Sequence, residues 1–157
     1  MVLSAAQKTG LILDKFITYM IKQRITWEQY AINIAKEAAA RSEDPFRKVG
    51  ACALNHENKV IGVAYNGLVS NFDPPPTFWG DRDFRRKYMV HAEVNLLSLF
   101  RRDECKVVAC TLLPCTACAC MIACYGVKKV VYQELYERDC SAFEIFNFYN
   151  IELEQIN

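Results

Sequence analysis

At 157 residues the chain fits one domain, and with 52% apolar residues it has ample material for a single buried core, which excludes a disordered chain. A net charge of +1 gives no field for holding a long polyanion, so no polymeric nucleic acid is expected as partner, although Arg82, Arg85, Arg86 and Lys87 form a local cluster able to meet phosphate. Eight cysteines without a clear secretory signal suit free thiols in a reducing, cytoplasmic setting rather than a disulfide framework.

Leu13, Phe16, Ile17, Met20 and Arg24 recur at helical spacing and predict a first helix, whose apolar stripe needs the core or another subunit to cover it. Asp14 and Lys15 interrupt the greasy run from Leu11 to Ile21, which is too short to span a bilayer, so no membrane is expected. A second helix begins at Thr26, where Thr26-Trp27-Glu28-Gln29 has the capping-box pattern, with Trp27, Tyr30, Ala31, Ile34 and Ala38 on one face and Asp44-Pro45 beyond its end. Val49 to Asn55 and Val60 to Asn66 read as an antiparallel hairpin around a polar turn at His56. The stretch from Gly67 to Lys87 has no clear period; its Phe72, Phe78 and Trp79 either stack on a ligand or anchor the loop to its own core. A helix from His91 to Arg102, a strand near Val107 to Leu112, a cysteine-bearing helix and a strand at Val130 to Tyr132 follow. Asp139 is placed to cap a last helix carrying Ala142, Phe143, Phe146 and Tyr149, ended by Asn150 in the left-handed position, with Ile151 to Gln155 as the final strand. Strands joined through a helix run parallel, so the last two should lie side by side in one direction.

Two strings carry chemistry: His91-Ala92-Glu93 and Pro114-Cys115-Thr116-Ala117-Cys118. One imidazole and two thiolates make a three-ligand zinc set, leaving the fourth tetrahedral position open to water, as a catalytic site requires. The cysteines are three apart, about 60° around a helix axis, so both reach one metal from one side. Pro114 suits a helix start, and the positive helix end favours thiolate. Residues two apart diverge by about 200° within a helix, so His91 is placed at the helix entrance and Glu93 inside it. Two thiolates bring the zinc to about zero net charge, so its water is acidified less than on a three-histidine zinc and needs a base, which Glu93 supplies. A lone C-x-x-C also reads as a structural zinc knuckle or a redox pair. A closed structural site would need a fourth ligand. His56 reads as a solvated turn residue, and Cys120 and Cys124 fall about 140° and 180° from Cys115 on the helix, facing away as packed thiols.

Together the two strings form the H-x-E…P-C-x-x-C signature of zinc nucleobase deaminases. With Arg41-Ser42-Glu43-Asp44-Pro45, Val49-Gly50-Ala51, Gly62, Tyr65-Asn66-Gly67, Asn95, Gly126 and Val130-Val131-Tyr132, the chain resembles the deoxycytidylate (dCMP) deaminases of the cytidine deaminase superfamily from about Thr26 to Gln155. The resemblance implies a three-layer α/β/α fold with a mixed five-stranded sheet and the last two strands parallel. It makes 26–157 the deaminase domain and leaves 1–25 as an extra helical segment. It implies hydrolysis of dCMP to dUMP and ammonia, with His91, Cys115 and Cys118 as zinc ligands and Glu93 as proton shuttle. Asn66 would contact the sugar, its alternative being a turn residue. Tyr136 would lie over the substrate, its alternative being an ordinary surface tyrosine. Ala92 and Pro114 fall beside the substrate, and Arg47, Lys48 and Arg138 near its phosphate. Between Gly67 and Val90 there is neither cysteine nor histidine, so one zinc per chain is expected. A homo-oligomer, with the family-like hexamer as its form, is also expected. Two other readings stay open: a histidine-type zinc deaminase acting on another base, a modified nucleotide or RNA, and a non-catalytic zinc-binding module.

Overall fold

The computed structural model describes residues 5–22 and 24–156, with the side chains of 9–19 and 24–156. In chain order the elements are α1 (Ala5–Lys22), α2 (Trp27–Ala39), β1 (Gly50–Asn55), β2 (Val60–Tyr65), a 3-10 turn (Pro76–Gly80), α3 (Arg82–Arg86), α4 (Ala92–Leu97), β3 (Cys105–Leu112), α5 (Thr116–Cys124), β4 (Lys129–Glu134), α6 (Ala142–Phe148) and β5 (Glu152–Gln155). The five strands form one mixed sheet in the order β2-β1-β3-β4-β5. β1 runs antiparallel to β2 and to β3, whereas β3, β4 and β5 are parallel neighbours, with Val130 opposite Val108 on one side and Leu153 on the other. The expected parallel ending is therefore present, and α6 is the crossover that makes it possible.

Burial explains the layers. β1 and β3 are buried along nearly their whole length, and β4 at Val130, Val131 and Tyr132, as strands covered on both faces must be. One face carries α2, whose Ala31, Ile32 and Ala35 pack on Cys52, Leu54, Val107, Ala109 and Val131. The other carries α4, α5 and α6, whose Leu96, Leu97, Ala119, Ile122 and Phe146 pack on Ala51, Ala53, Val108, Cys110 and Val130. Between α2 and β1 the approach is very close. A Cβ on Gly50 would lie 1.9 Å from the Ala35 carbonyl oxygen, so only glycine fits there.

Several sequence expectations shift for physical reasons. Thr26 caps α2 as expected, accepting from Gln29 N at 3.1 Å. The buried stripe, however, is the small-residue row Ala31, Ala35 and Ala38 with Ile32, while Trp27 and Tyr30 stay 43% and 39% exposed, because the close contact at Gly50 admits small side chains only. α4 ends at Leu97 instead of Arg102, where the Ser98 hydroxyl donates back to the Asn95 carbonyl at 2.7 Å. Cys120 and Cys124 are exposed, not packed: Cys118, Ala119 and Ile122 face inward from α5, and the opposite side of that short helix meets solvent. Asn150 does take the left-handed stop at φ 55°. Ser141, not Asp139, occupies the N-cap position of α6. In the stretch from Gly67 to Lys87, Phe78 is buried among Trp79, Phe84 and Tyr88, so that aromatic anchors the segment to itself, whereas Phe72 is exposed. The side chains of Leu11, Ile12, Leu13, Phe16 and Ile17 on α1 are exposed; Met20 of the expected stripe lies outside the described side chains. No helix among the described residues is long and apolar enough to cross a membrane.

Candidate metal and substrate site

The two chemical strings meet because each stands at a helix entrance. His91 is the N-cap of α4 and Cys115 the N-cap of α5, both with extended backbone, and neither side chain caps its own helix. Their side chains are thus free to converge across the gap between the helices. The unsatisfied donor at the start of α5 is met from elsewhere: Asp139 accepts from Thr116 N at 2.7 Å and from the Thr116 hydroxyl at 2.8 Å. These hydrogen bonds, with Thr116 N first, lower the Asp139 pKa to about 2.

His91 Nδ1 lies 3.6 Å from Cys115 Sγ and 3.4 Å from Cys118 Sγ. Among the described residues these three form the one group whose ligand atoms cluster, all within 4.8 Å of one another. Zn–N and Zn–S bonds of about 2.0 and 2.3 Å at the tetrahedral angle separate nitrogen from sulfur by about 3.5 Å, so the donors fit zinc in both kind and spacing. One zinc per chain follows from the single cluster. The hydrogen bond between Cys115 and Cys118 lowers the Cys115 pKa to about 4 and, with burial, raises that of Cys118. A hydrogen bond with Cys115 raises the pKa of His91, against the effect of burial.

Glu93 sits in the first turn of α4, only 4% exposed, and burial raises its pKa above the ordinary carboxylate range. It lines a cleft of about 370 Å³ together with His91, Ala92 and Cys115. Asn66 and Tyr136 line the same cleft, and Arg47 and Arg138 are among its cations. Lys48 is not. It lines a neighbouring cleft with Lys36 and Glu134. Pro114 is buried and outside the cleft lining. Arg47 is already paired with Glu134 at 2.7 Å. The Asn66 amide is held firmly: Oδ1 accepts from Val49 N at 2.7 Å, and Nδ2 donates to the Arg47 carbonyl at 2.9 Å and to Asp44 at 3.3 Å.

The cations that the sequence marked as a local cluster able to meet phosphate come from the segment before His91. Arg82, Arg85, Arg86 and Lys87 all line the cleft, and Arg86 donates to the Tyr136 hydroxyl at 3.4 Å. Their density in the sequence was the available signal. What it lacked was the fold of the loop, which lays α3 along the cleft wall. Asp44 also belongs to this wall.

The family described as cytidine and deoxycytidylate deaminase zinc-binding region matches residues 25–134. Over 117 residues the chain is 32% identical to a deoxycytidylate deaminase of Homo sapiens, a match covering 69% of this chain and 65% of that protein. The chain thus spans just under two thirds of the length of such relatives. It is 33% identical over 125 residues to a deoxycytidylate deaminase of Mycobacterium phage D29, covering 69% of this chain and 95% of that one. In fold it is similar to the apo dCMP deaminase of cyanophage S-TIM5, with a TM-score of 0.67 at 24% identity over 82% of this chain and 96% of that one.

Proposed function

This chain belongs to the cytidine and deoxycytidylate deaminase zinc-binding family, and we propose that it hydrolyses dCMP to dUMP and ammonia, the product serving thymidylate synthesis. The observation that carries the reading is the convergence of His91, Cys115 and Cys118 beside a buried Glu93, at the base of a cleft walled by cations.

His91, Cys115 and Cys118 would hold a zinc ion, which when bound would make a water molecule a better nucleophile toward C4 of the cytosine. Glu93 takes one proton of that water and passes it to ring nitrogen N3, then carries the second proton, from the new C4 hydroxyl, to the amine, so that the C4–N bond breaks, ammonia leaves and a carbonyl remains. Its burial suits both duties, since raising the pKa of a carboxylate makes it a stronger proton acceptor while it can still return the proton. Asn66 spends both amide hydrogens on the protein, so what it offers a sugar hydroxyl is the second lone pair of Oδ1. Tyr136 covers the base, and Arg47, Arg138 and the cations of 82–87 face the phosphate. Ala92 lies against the ring beside the ligands.

The deaminase domain in this reading is 26–157, with 1–25 an added helical segment. The assembly is a homo-oligomer of up to six copies, for which the exposed apolar side chains of α1 offer a contact face; light scattering coupled to size exclusion would measure it. Free thiols at the ligand positions favour the cytoplasm. The test is to incubate zinc-loaded protein with dCMP, CMP, dCTP, a cytosine-containing oligonucleotide and an adenosine-containing RNA, and to follow ammonia and product mass. Selective conversion of dCMP is expected. Turnover of another substrate alone would overturn the substrate assignment, and no turnover on any would reduce the protein to a zinc-binding module.

A further inference from the structure

The segment 67–90 leaves the sheet and returns to it at one place, where Gly67 and Val90 exchange backbone hydrogen bonds of 3.1 and 2.8 Å. Of its cleft-lining cations, Arg82, Arg86 and Lys87 are exposed and Arg85 is 2% exposed. The Arg85 guanidinium pairs with Asp44 and lies over the Phe46 ring, 4.8 Å from its centroid. That same Asp44 carboxylate accepts from Phe46 N and Arg47 N at 2.8 and 3.0 Å and from Asn66 Nδ2 at 3.3 Å. One residue thereby joins two walls that are far apart in sequence. Arg85 Nε is buried with no hydrogen-bond partner. An apolar anchor at this place would avoid both that unpaired donor and the desolvation of two charges.

We propose that Arg85 is the positioning residue of the anion-binding half of this cleft: it locks the segment bearing Arg82, Arg86 and Lys87 onto the Asp44 turn bearing Arg47, so that these cations converge on the 5′-phosphate of a nucleotide. The proposal rests on the reading of the cleft as a nucleotide deaminase site. Long cationic side chains lose rotamer freedom when they grip a phosphate, and a loop that had to be ordered at the same moment would add its own entropy to the cost. A lock set before the ligand arrives removes that second cost. Arginine suits it because the planar fork serves a carboxylate while its face stacks on an aromatic ring, which lysine cannot reproduce.

Arg85→Met and Arg85→Lys in the zinc-loaded full chain test this in two ways. In limited trypsin digestion followed by mass spectrometry, cleavage after Arg82, Arg86 and Lys87 should speed up by about tenfold or more in Arg85→Met, with other sites keeping their rates. With dCMP, KM should rise about tenfold or more, most of the loss appearing in KM rather than kcat, zinc content should hold, and Arg85→Lys should fall between. Unchanged cleavage of the segment overturns the lock. A released segment with wild-type KM, or a loss confined to kcat and zinc, overturns the positioning role and leaves a structural one. If Arg85→Met does not fold, Arg85→Lys is read by the same two measurements. If the wild type converts no cytidine nucleotide, the functional reading falls, whereas the digestion still decides the lock.

Discussion

Replacing Glu93 with Gln keeps the volume and most of the shape of the side chain while removing its capacity to accept a proton. The other carboxylates lining the cleft are Asp44 and Asp83. Asp44 is committed to Arg85, Asn66 and two backbone amides, and Asp83 pairs with Arg86 at 3.7 Å, so neither replaces the lost base. The rate should therefore fall by the full general acid–base contribution, about 10² to 10⁴ in kcat, or about 3 to 5 kcal/mol of barrier. Two pH effects accompany it. Burial raises the Glu93 pKa, and a base works only when deprotonated, so wild-type turnover should drop as pH falls through that raised value and the variant should lack this acid limb. Stability runs the other way. A group whose folded-state pKa is raised stabilises the fold fully below its unfolded pKa and loses that contribution as pH rises through the folded value. At neutral pH the metal-free variant, neutral at this site, should thus melt at a higher temperature than the metal-free wild type. Ammonia release from dCMP across pH, zinc content on the same samples and thermal melts of chelated protein measure all three. Wild-type turnover by a fully zinc-loaded Glu93→Gln would refute Glu93 as the base.

Cys115→Ala should lose zinc and melt earlier than the zinc-loaded wild type, since metal binding contributes to folding; full metal occupancy by mass spectrometry would remove Cys115 from the ligand set. Asp139→Ala should speed zinc release to a chelator, because the start of α5, between the two cysteine ligands, loses its hydrogen bonds to Thr116; a wild-type release rate would end that explanation. Gly50→Ala should destabilise by about 1 to 3 kcal/mol in urea unfolding, as its Cβ would meet the Ala35 carbonyl and push α2 off the sheet; unaltered stability would show that α2 yields freely.

The cluster of His91, Cys115 and Cys118 and the proposed base Glu93 could be picked out because the chemistry demands particular residue types at short spacing, and spacing is preserved in the chain. The antiparallel start and the parallel end were legible too, from a polar turn at His56 and from a helix carrying Ala142 and Phe146 between the last strands. Misplaced features depended on partners distant in sequence. Asp139 stands where a helix cap belongs, yet its strongest bonds go to Thr116, twenty-three residues earlier. Trp27 and Tyr30 have the periodicity of a core stripe, but the packing distance at Gly50 turned a row of alanines inward.

The sequence by itself determined the three clustered metal donors, the carboxylate beside them and the order of helices and strands outside 67–87, since each follows from local propensity or from the valence of a few side chains. Only the tertiary structure decided which cations face the cleft. Arg47 and Lys48 are adjacent in the chain, yet Arg47 reaches the cleft beside His91 and Lys48 does not, while Arg85 crosses from the loop to Asp44, forty-one residues away, and turns a run of charges into a wall. Charge counts carry no direction, and a long side chain acquires one only when packing fixes where its backbone lies.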